Sequence, residues 1–215
     1  MRTVACLPIA LPLLLGGCAT GFHAGAPKDA IDVIAHRGAS AYAPENTLAA
    51  FRLAAEMQAD WFELDCRLTG DDQLLILHND TVDKTTNGKG AAGEITLAQL
   101  RTLDAGSWFE PKFGGERLPT FEESLDLAKS LQIGVYAEIK SSDDDGILVG
   151  RLVRATSDRK RMTRGLRREM MKLVEDSGTR NLLLTRKAIA AIRDRGMQKQ
   201  VVIQSFSPVV TFVAL

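Results

Sequence analysis

Short apolar runs, separated by polar turns, divide the chain, and several of them end on a charged or imidazole side chain. Val33-Ile-Ala-His36, Phe62-Glu-Leu-Asp65, Leu74-Leu-Ile-Leu-His78, Ile133-Gly-Val-Tyr-Ala-Glu-Ile-Lys140 and Val201-Val-Ile-Gln-Ser-Phe206 have the length and composition of buried strands. Between the first two, Leu48, Phe51 and Ala55 recur at helical spacing, with Asn46 or Thr47 placed to cap. Strand, helix and strand in that order predict a βαβ unit and an α/β architecture. Only eight residues separate Asp65 from Leu74, with the turn signal Thr69-Gly-Asp-Asp72 among them. That link is too short for a crossover helix, so it returns as extended chain or the two strands pair antiparallel. Residues 80–119 are rich in turn signals, with one short amphipathic piece over 96–103, and an excursion of this length between core strands suggests a functional insertion. Thr120 is placed to cap a helix over 121–129. A stripe of Met162, Leu166, Met170 and Leu173 predicts another, ended by Ser177-Gly178. A further short helix is expected over 187–196, and Ser207-Pro208 would start a last one.

The polar ends of these runs carry the candidate chemistry. His36 and His78 each sit where a buried strand leaves the core, whereas His23, the third histidine, lies among small residues. Glu63 and Asp65 are two apart on one strand and so share a face. On their own they also fit a solvated strand edge, but two carboxylates on an otherwise apolar strand need a partner, and a cation is the economical one. With Glu138 they make three hard oxygen ligands, a set suited to Ca²⁺ or Mg²⁺ and not to zinc. Two imidazoles, a divalent cation and the charges of Arg37 and Lys140 together describe a phosphoryl site. A phosphodiester suits it, because its cleavage needs a nucleophile deprotonated and a leaving alkoxide protonated.

Charge and cysteine content narrow the picture. The 215 residues carry no net formal charge, yet 12 basic and 22 acidic side chains precede Arg151, against 15 and 5 over residues 151–199. The basic stretch has no aromatic residue to stack on a base, and its charges surround an apolar helical stripe, so it reads as a solvated helix face and no nucleic-acid partner is expected. At the N-terminus, Met1-Arg2 precedes an apolar stretch over residues 4–15 and then Leu15-Gly-Gly-Cys18. Twelve apolar residues are too few to span a bilayer, which takes about 20 in a helix, and the pattern is that of an export signal. Its end resembles a bacterial lipobox. The expected organisation is a signal over 1–17, a tether over 18–30 beginning at a lipidated Cys18, and one domain over 31–215. The address that follows is the outer membrane, facing the periplasm. Cys66 is then the one remaining thiol of the domain; it points away from the face of Asp65, as a packed side chain would.

His36-Arg-Gly38, Pro44-Glu-Asn-Thr47, Glu63-Leu-Asp65, Leu77-His78, Asp83-Lys-Thr-Thr-Asn-Gly88, Glu138-Ile-Lys140 and Gln204-Ser-Phe206 resemble the glycerophosphodiester phosphodiesterase family. The resemblance is dense over residues 34–140 and thins to one strand beyond. It implies a TIM-type (β/α) barrel with its site at the C-terminal strand ends. It also implies hydrolysis of a glycerophosphodiester to glycerol 3-phosphate and an alcohol. His36 and His78 would be general acid and base, Glu63, Asp65 and Glu138 the ligands of a divalent cation, Ca²⁺ or Mg²⁺, and Arg37 and Lys140 the phosphate-binding pair. Residues 80–119 would wall the glycerol pocket. Asn79 stands where the family usually has aspartate, and Lys84 where it has arginine; both changes keep shape or charge. About five strands are legible, so the expected barrel is truncated and leaves an edge that a second copy of the chain would cover. The alternatives are a related phosphodiesterase acting on another headgroup and a membrane-tethered, catalytically weak binding module.

Overall fold

The computed structural model describes residues 31–141, 145–156 and 162–215. The expected signal, the tether and Cys18 lie outside the described residues. Five strands form one sheet: β1 (Ile34–Ala35), β2 (Trp61–Leu68), β3 (Leu74–Ile76), β4 (Gly134–Ile139) and β5 (Val201–Gln204). β1, β2, β4 and β5 are parallel and adjacent in that order, and β3 runs antiparallel to β2. The helices among the described residues are α1 (Leu48–Glu56), α2 (Leu97–Leu100), α3 (Phe121–Leu131), α4 (Gly146–Thr156), α5 (Arg164–Ser177), α6 (Arg180–Asp194) and α7 (Pro208–Ala214).

β2 is the strand around which the rest is arranged. One edge of it pairs with β4 continuously, from Trp61 opposite Gly134 to Cys66 opposite Ile139. Its other edge is shared: β1 ends with Ala35 opposite Phe62, and β3 comes the other way, ending with Ile76 opposite Cys66. The short link through Thr69 and Asp72 thus forms an antiparallel return, one of the two outcomes its length allows. Side chains alternate along β2. Phe62, Leu64, Cys66 and Leu68 face a core built with Phe51 of α1, Phe121 and Leu125 of α3, and Leu184 and Ala188 of α6. Phe51 stacks on Phe62 with ring centroids 4.3 Å apart. The Cys66 thiol is free and fully buried there, and burial pushes its pKa well above the ordinary value. Glu63, Asp65 and Arg67 occupy the opposite face. Helices on one face of a parallel sheet, with polar side chains gathered on the other, make this part of a (β/α) barrel. It is open among the described residues, with β1 and β5 at its edges.

Two smaller apolar clusters complete the packing. Leu148 and Leu152 of α4, Leu166, Met170 and Val174 of α5, and Val209 and Phe212 of α7 form one. The insertion over 80–119 forms the other, with Val82, Ala92, Leu100 and Ala105 closing on Leu75 and Leu77. Asp104 pins that insertion: its carboxylate accepts the backbone N–H groups of Gly106, Ser107 and Gly115 at 2.7–2.9 Å, which hold its pKa far below the carboxylate range.

Hydroxyl caps set the helix starts, at α1 and α3 where expected and at α6 earlier than expected. Thr47, not Asn46, caps α1, and Thr120 forms a capping box with Glu123 at α3. The expected helix over 187–196 begins at Arg180, because the Thr179 hydroxyl accepts the Asn181 N–H. The buried stripe of α5 is Leu166, Met170 and Val174; Met162 precedes the helix and is exposed. The amphipathic piece over 96–103 is helical only over four residues, and α4 had no counterpart in the sequence pattern. Among the described residues, no helix is long and apolar enough to cross a membrane.

Gly38 combines a left-handed backbone with close approach to α1. Its φ is +78°, and a Cβ placed on it would meet the backbone carbon of Ala50 at 2.7 Å. Gly38→Ala is expected to lower unfolding free energy by about 2 kcal/mol or more, read as a fall in the urea midpoint at unchanged slope; an unchanged midpoint would show that α1 can move aside.

Candidate functional site

The site is assembled on the polar face of β2. Alternation places Glu63 and Asp65 on it, 4 % and 1 % exposed, and the parallel register sets Glu138 of β4 directly opposite Asp65. One carboxylate oxygen from each of Glu63, Asp65 and Glu138 lies within 4.8 Å of the others. Glu63 Oε1 and Asp65 Oδ1 are buried and receive no hydrogen bond, although Lys140 Nζ stands 3.1 Å from the latter. Buried carboxylate oxygens normally have partners, so two open lone-pair sites facing a third acid describe a cation cradle.

The remaining charges are arranged around that cradle. Lys140 Nζ donates to Glu138 Oε1 at 2.7 Å. The Arg37 backbone N–H donates to Glu63 Oε2 at 2.8 Å, and its guanidinium lies 3.5 Å from Asp65 Oδ2. Arg37 adopts a left-handed φ of 57°, which turns the chain sharply after β1 and aims both its N–H and its side chain at the acids. Arg37 Nε is itself buried without a hydrogen-bond partner. Three acids therefore face two fixed cations. Burial, reinforced by the charge of Asp65, raises the Glu63 pKa from 4.5 to about 7, against the opposing effect of the Arg37 N–H.

His36 reaches this cradle, and His78 lines a cleft beside it with Arg67 and Lys140. His36 follows β1 directly, and its Nε2 lies 3.9 Å from Glu63 Oε2 with the ring largely exposed. His78 follows β3, so it arrives from the opposite direction along the same edge of β2. The antiparallel pairing decides between the two arrangements its short link allows: the strand carrying His78 descends toward the site and does not rise to it. His78 Nδ1 is 2.8 Å from Asn79 Oδ1, so asparagine at this position keeps a hydrogen-bonding partner on the ring. Two adjoining clefts open here and share Arg67 and Lys140. One, of about 390 Å³, is lined by His78, Asn79, Asp80 and Thr81. The other, of about 440 Å³, runs past Glu138 toward Val149, Phe206 and Pro208. Of the insertion over 80–119, only Asp80 and Thr81 line these clefts; the rest folds on its own core.

Sequence reasoning missed the groups that orient this set. Asn46 donates to Asp65 Oδ2 at 2.8 Å and accepts the Asp65 N–H at 3.2 Å. Glu45 accepts from Arg37 Nη1 at 3.0 Å and lies 3.7 Å from Lys84 Nζ. Pro44-Glu-Asn-Thr47 thus sets a guanidinium, an acid and a helix cap in three consecutive positions. Arg67 is the fifth residue of the alternating run that contains Glu63 and Asp65, and that run was the one signal that could have found it.

A profile of the glycerophosphoryl diester phosphodiesterase family matches residues 36–211. The chain belongs to this family. It is 50% identical over 109 residues to a glycerophosphodiester phosphodiesterase of Caldanaerobacter subterraneus, covering 51% of this chain and 45% of that one. It is 42% identical over 123 residues to one of Bacillus subtilis, covering 54% and 42%. Among solved structures, a glycerophosphodiester phosphodiesterase from Agrobacterium tumefaciens superposes with a TM-score of 0.64 at 30% identity, covering 86% of this chain and 62% of that one. A phosphodiesterase from Oleispira antarctica, solved in complex with the product sn-glycerol-3-phosphate, gives 0.65 at 26% identity over 86% and 61%. The chain spans less than half the length of these two curated relatives. In this phosphodiesterase-family chain β2 to β5 and the candidate cradle lie within the matched region, and β1 immediately precedes it.

The Glu63 carboxyl ties the cradle to stability. With a folded pKa near 7 and an ordinary value of 4.5, the folded state holds a proton that the unfolded chain has released. Its contribution is therefore favourable below about 4.5 and is lost as pH rises through 7. In metal-free protein the thermal midpoint should fall between pH 5 and 8. Added Ca²⁺ or Mg²⁺ should restore it at pH 8 far more than at pH 5, as differential scanning fluorimetry would read. A Glu63→Gln variant should lose both the fall and the restoration.

Proposed function

We propose that this chain hydrolyses glycerophosphodiesters to glycerol 3-phosphate and an alcohol, with Glu63, Asp65 and Glu138 holding a divalent cation, Ca²⁺ or Mg²⁺. The observation that carries the reading is the pair of buried, unbonded oxygens of Glu63 and Asp65 set against Glu138, with an imidazole reaching the same strand edge from either end. Oxygen-only donors on rigid strands suit a hard cation. When bound, that ion would polarise the phosphoryl group and offset the charge that develops on it.

The chain's own residues supply the rest. Arg37 and Lys140 carry fixed positive charge at the cradle rim, where a guanidinium and an ammonium would take the non-bridging phosphate oxygens. Of His36 and His78, one takes the proton from the nucleophile and the other returns a proton to the departing alkoxide. Asn79 on His78 Nδ1 leaves Nε2 as the nitrogen facing the reaction. The family membership and the neighbour bound to sn-glycerol-3-phosphate support this substrate class. Release of glycerol 3-phosphate from glycerophosphocholine should require a divalent cation, stop with chelator, and fall by about 10²–10⁴-fold in His36→Ala or His78→Ala. Well-folded protein with no metal-dependent turnover would sink the proposal.

We further infer that the chain is exported and held at a membrane through lipid on Cys18, as Leu15-Gly-Gly-Cys18 suggests. Labelled palmitate fed to producing cells should enter the wild-type protein and not Cys18→Ala; label retained by the variant would reject the anchor.

A further inference from the structure

We propose that Arg67 is a positioning residue for this reaction, holding the chain segment that carries His78 at the edge of β2. The inference rests on the phosphodiesterase reading for its kinetic consequence and on geometry alone for its structural one. Arg67 lies two residues beyond Asp65 on the same face, and its side chain is 13% exposed. Its Nε donates to the carbonyl of Leu77 at 3.1 Å and to that of His78 at 3.0 Å, and Nη2 donates to the His78 carbonyl at 2.5 Å. Nη1 pairs with Asp80 Oδ1 at 2.6 Å. One planar fork thus ties down three of four consecutive residues around the imidazole.

This clamp sits where the sheet provides none. The β3 ladder ends at Ile76 opposite Cys66, with one further backbone bond from the Leu77 N–H to the Asp65 carbonyl at 2.9 Å. From His78 onward the chain turns away, and the ring's own recorded partner is its neighbour Asn79. Fixing the His78 carbonyl fixes the direction of its Cα–Cβ bond, and therefore where the ring can reach. The guanidinium is suited to this because its donors lie in one rigid plane; an ammonium would satisfy one acceptor at a time. The hydrogen bonds and ion pair of Arg67 go to Leu77, His78 and Asp80, so its removal should leave the cradle in place.

The test compares wild type with Arg67→Met and Arg67→Lys in the full chain. A misplaced general acid or base lowers the chemical step by about 100-fold. Arg67→Met should therefore cut kcat on glycerophosphocholine by that order with KM little changed, and Arg67→Lys should recover only part of it. Calcium affinity by titration calorimetry should be retained in both. In protein labelled at its histidine rings, the His78 resonances, identified by their loss in His78→Gln, should move or broaden in Arg67→Met while those of His36 stay. Should Arg67→Met fail to fold, Arg67→Lys decides by the same readings. A rise in KM at preserved kcat would make Arg67 a substrate-binding group and overturn the proposal, as would an unmoved His78 signal. Absence of turnover in wild type, together with a displaced His78 signal in the variant, would reject the hydrolase reading and leave the positioning role standing.

Discussion

Burial of two carboxylates on one face of the central strand is the constraint from which the rest of this structure follows. Glu63 and Asp65 are almost wholly removed from solvent, and ionised groups so placed are strongly disfavoured unless paired or neutralised. The chain compensates from every direction. The Arg37 N–H and guanidinium arrive from the end of β1, Asn46 from the turn before α1, and Lys140 from the end of β4. Even so, three acids face two cations and two oxygens stay open. Apolar side chains on this face would carry no such desolvation cost, so the acids are not there for stability.

The same constraint accounts for the backbone. Arg37 and Asn46 both adopt left-handed conformations, φ 57° and 59°, and both present a hydrogen-bonding group to a buried acid. Gly38 between them lets the turn lie against α1. Strain of this kind persists only where surroundings over-determine it; here the surroundings are the acids, and a helix capped by the adjacent Thr47 anchors the far end of the turn.

Much of this was legible in the sequence because it depends on period-two alternation and on local caps. Phe62-Glu-Leu-Asp65 announces a strand with one apolar and one acidic face, and Glu138-Ile-Lys140 a second. The start of α6 was read less well: Thr179 caps it and the helix begins at Arg180, where no apolar periodicity marks the change. The direction of β3 was open because an eight-residue link permits either pairing. Arg67, Asn46 and Glu45 were missed as site residues for a different reason. Their hydrogen-bond partners are 8 to 19 residues away and Lys84 lies farther still from Glu45, and only the folded register brings them together.

The direction of β3 links fold to chemistry. β1 is only two residues long and offers the site one imidazole, His36, directly after its end. A second imidazole on the same edge of β2 has to come from chain descending toward the site, which is what an antiparallel β3 supplies. Such a segment ends away from its ladder, so its last residues are the least constrained by main-chain bonds. Positioning must then come from a side chain on the neighbouring strand, at the next position of the face that already carries the acids. Arg67 occupies that position, so the alternation that creates the cradle also supplies the side chain that holds Leu77, His78 and Asp80.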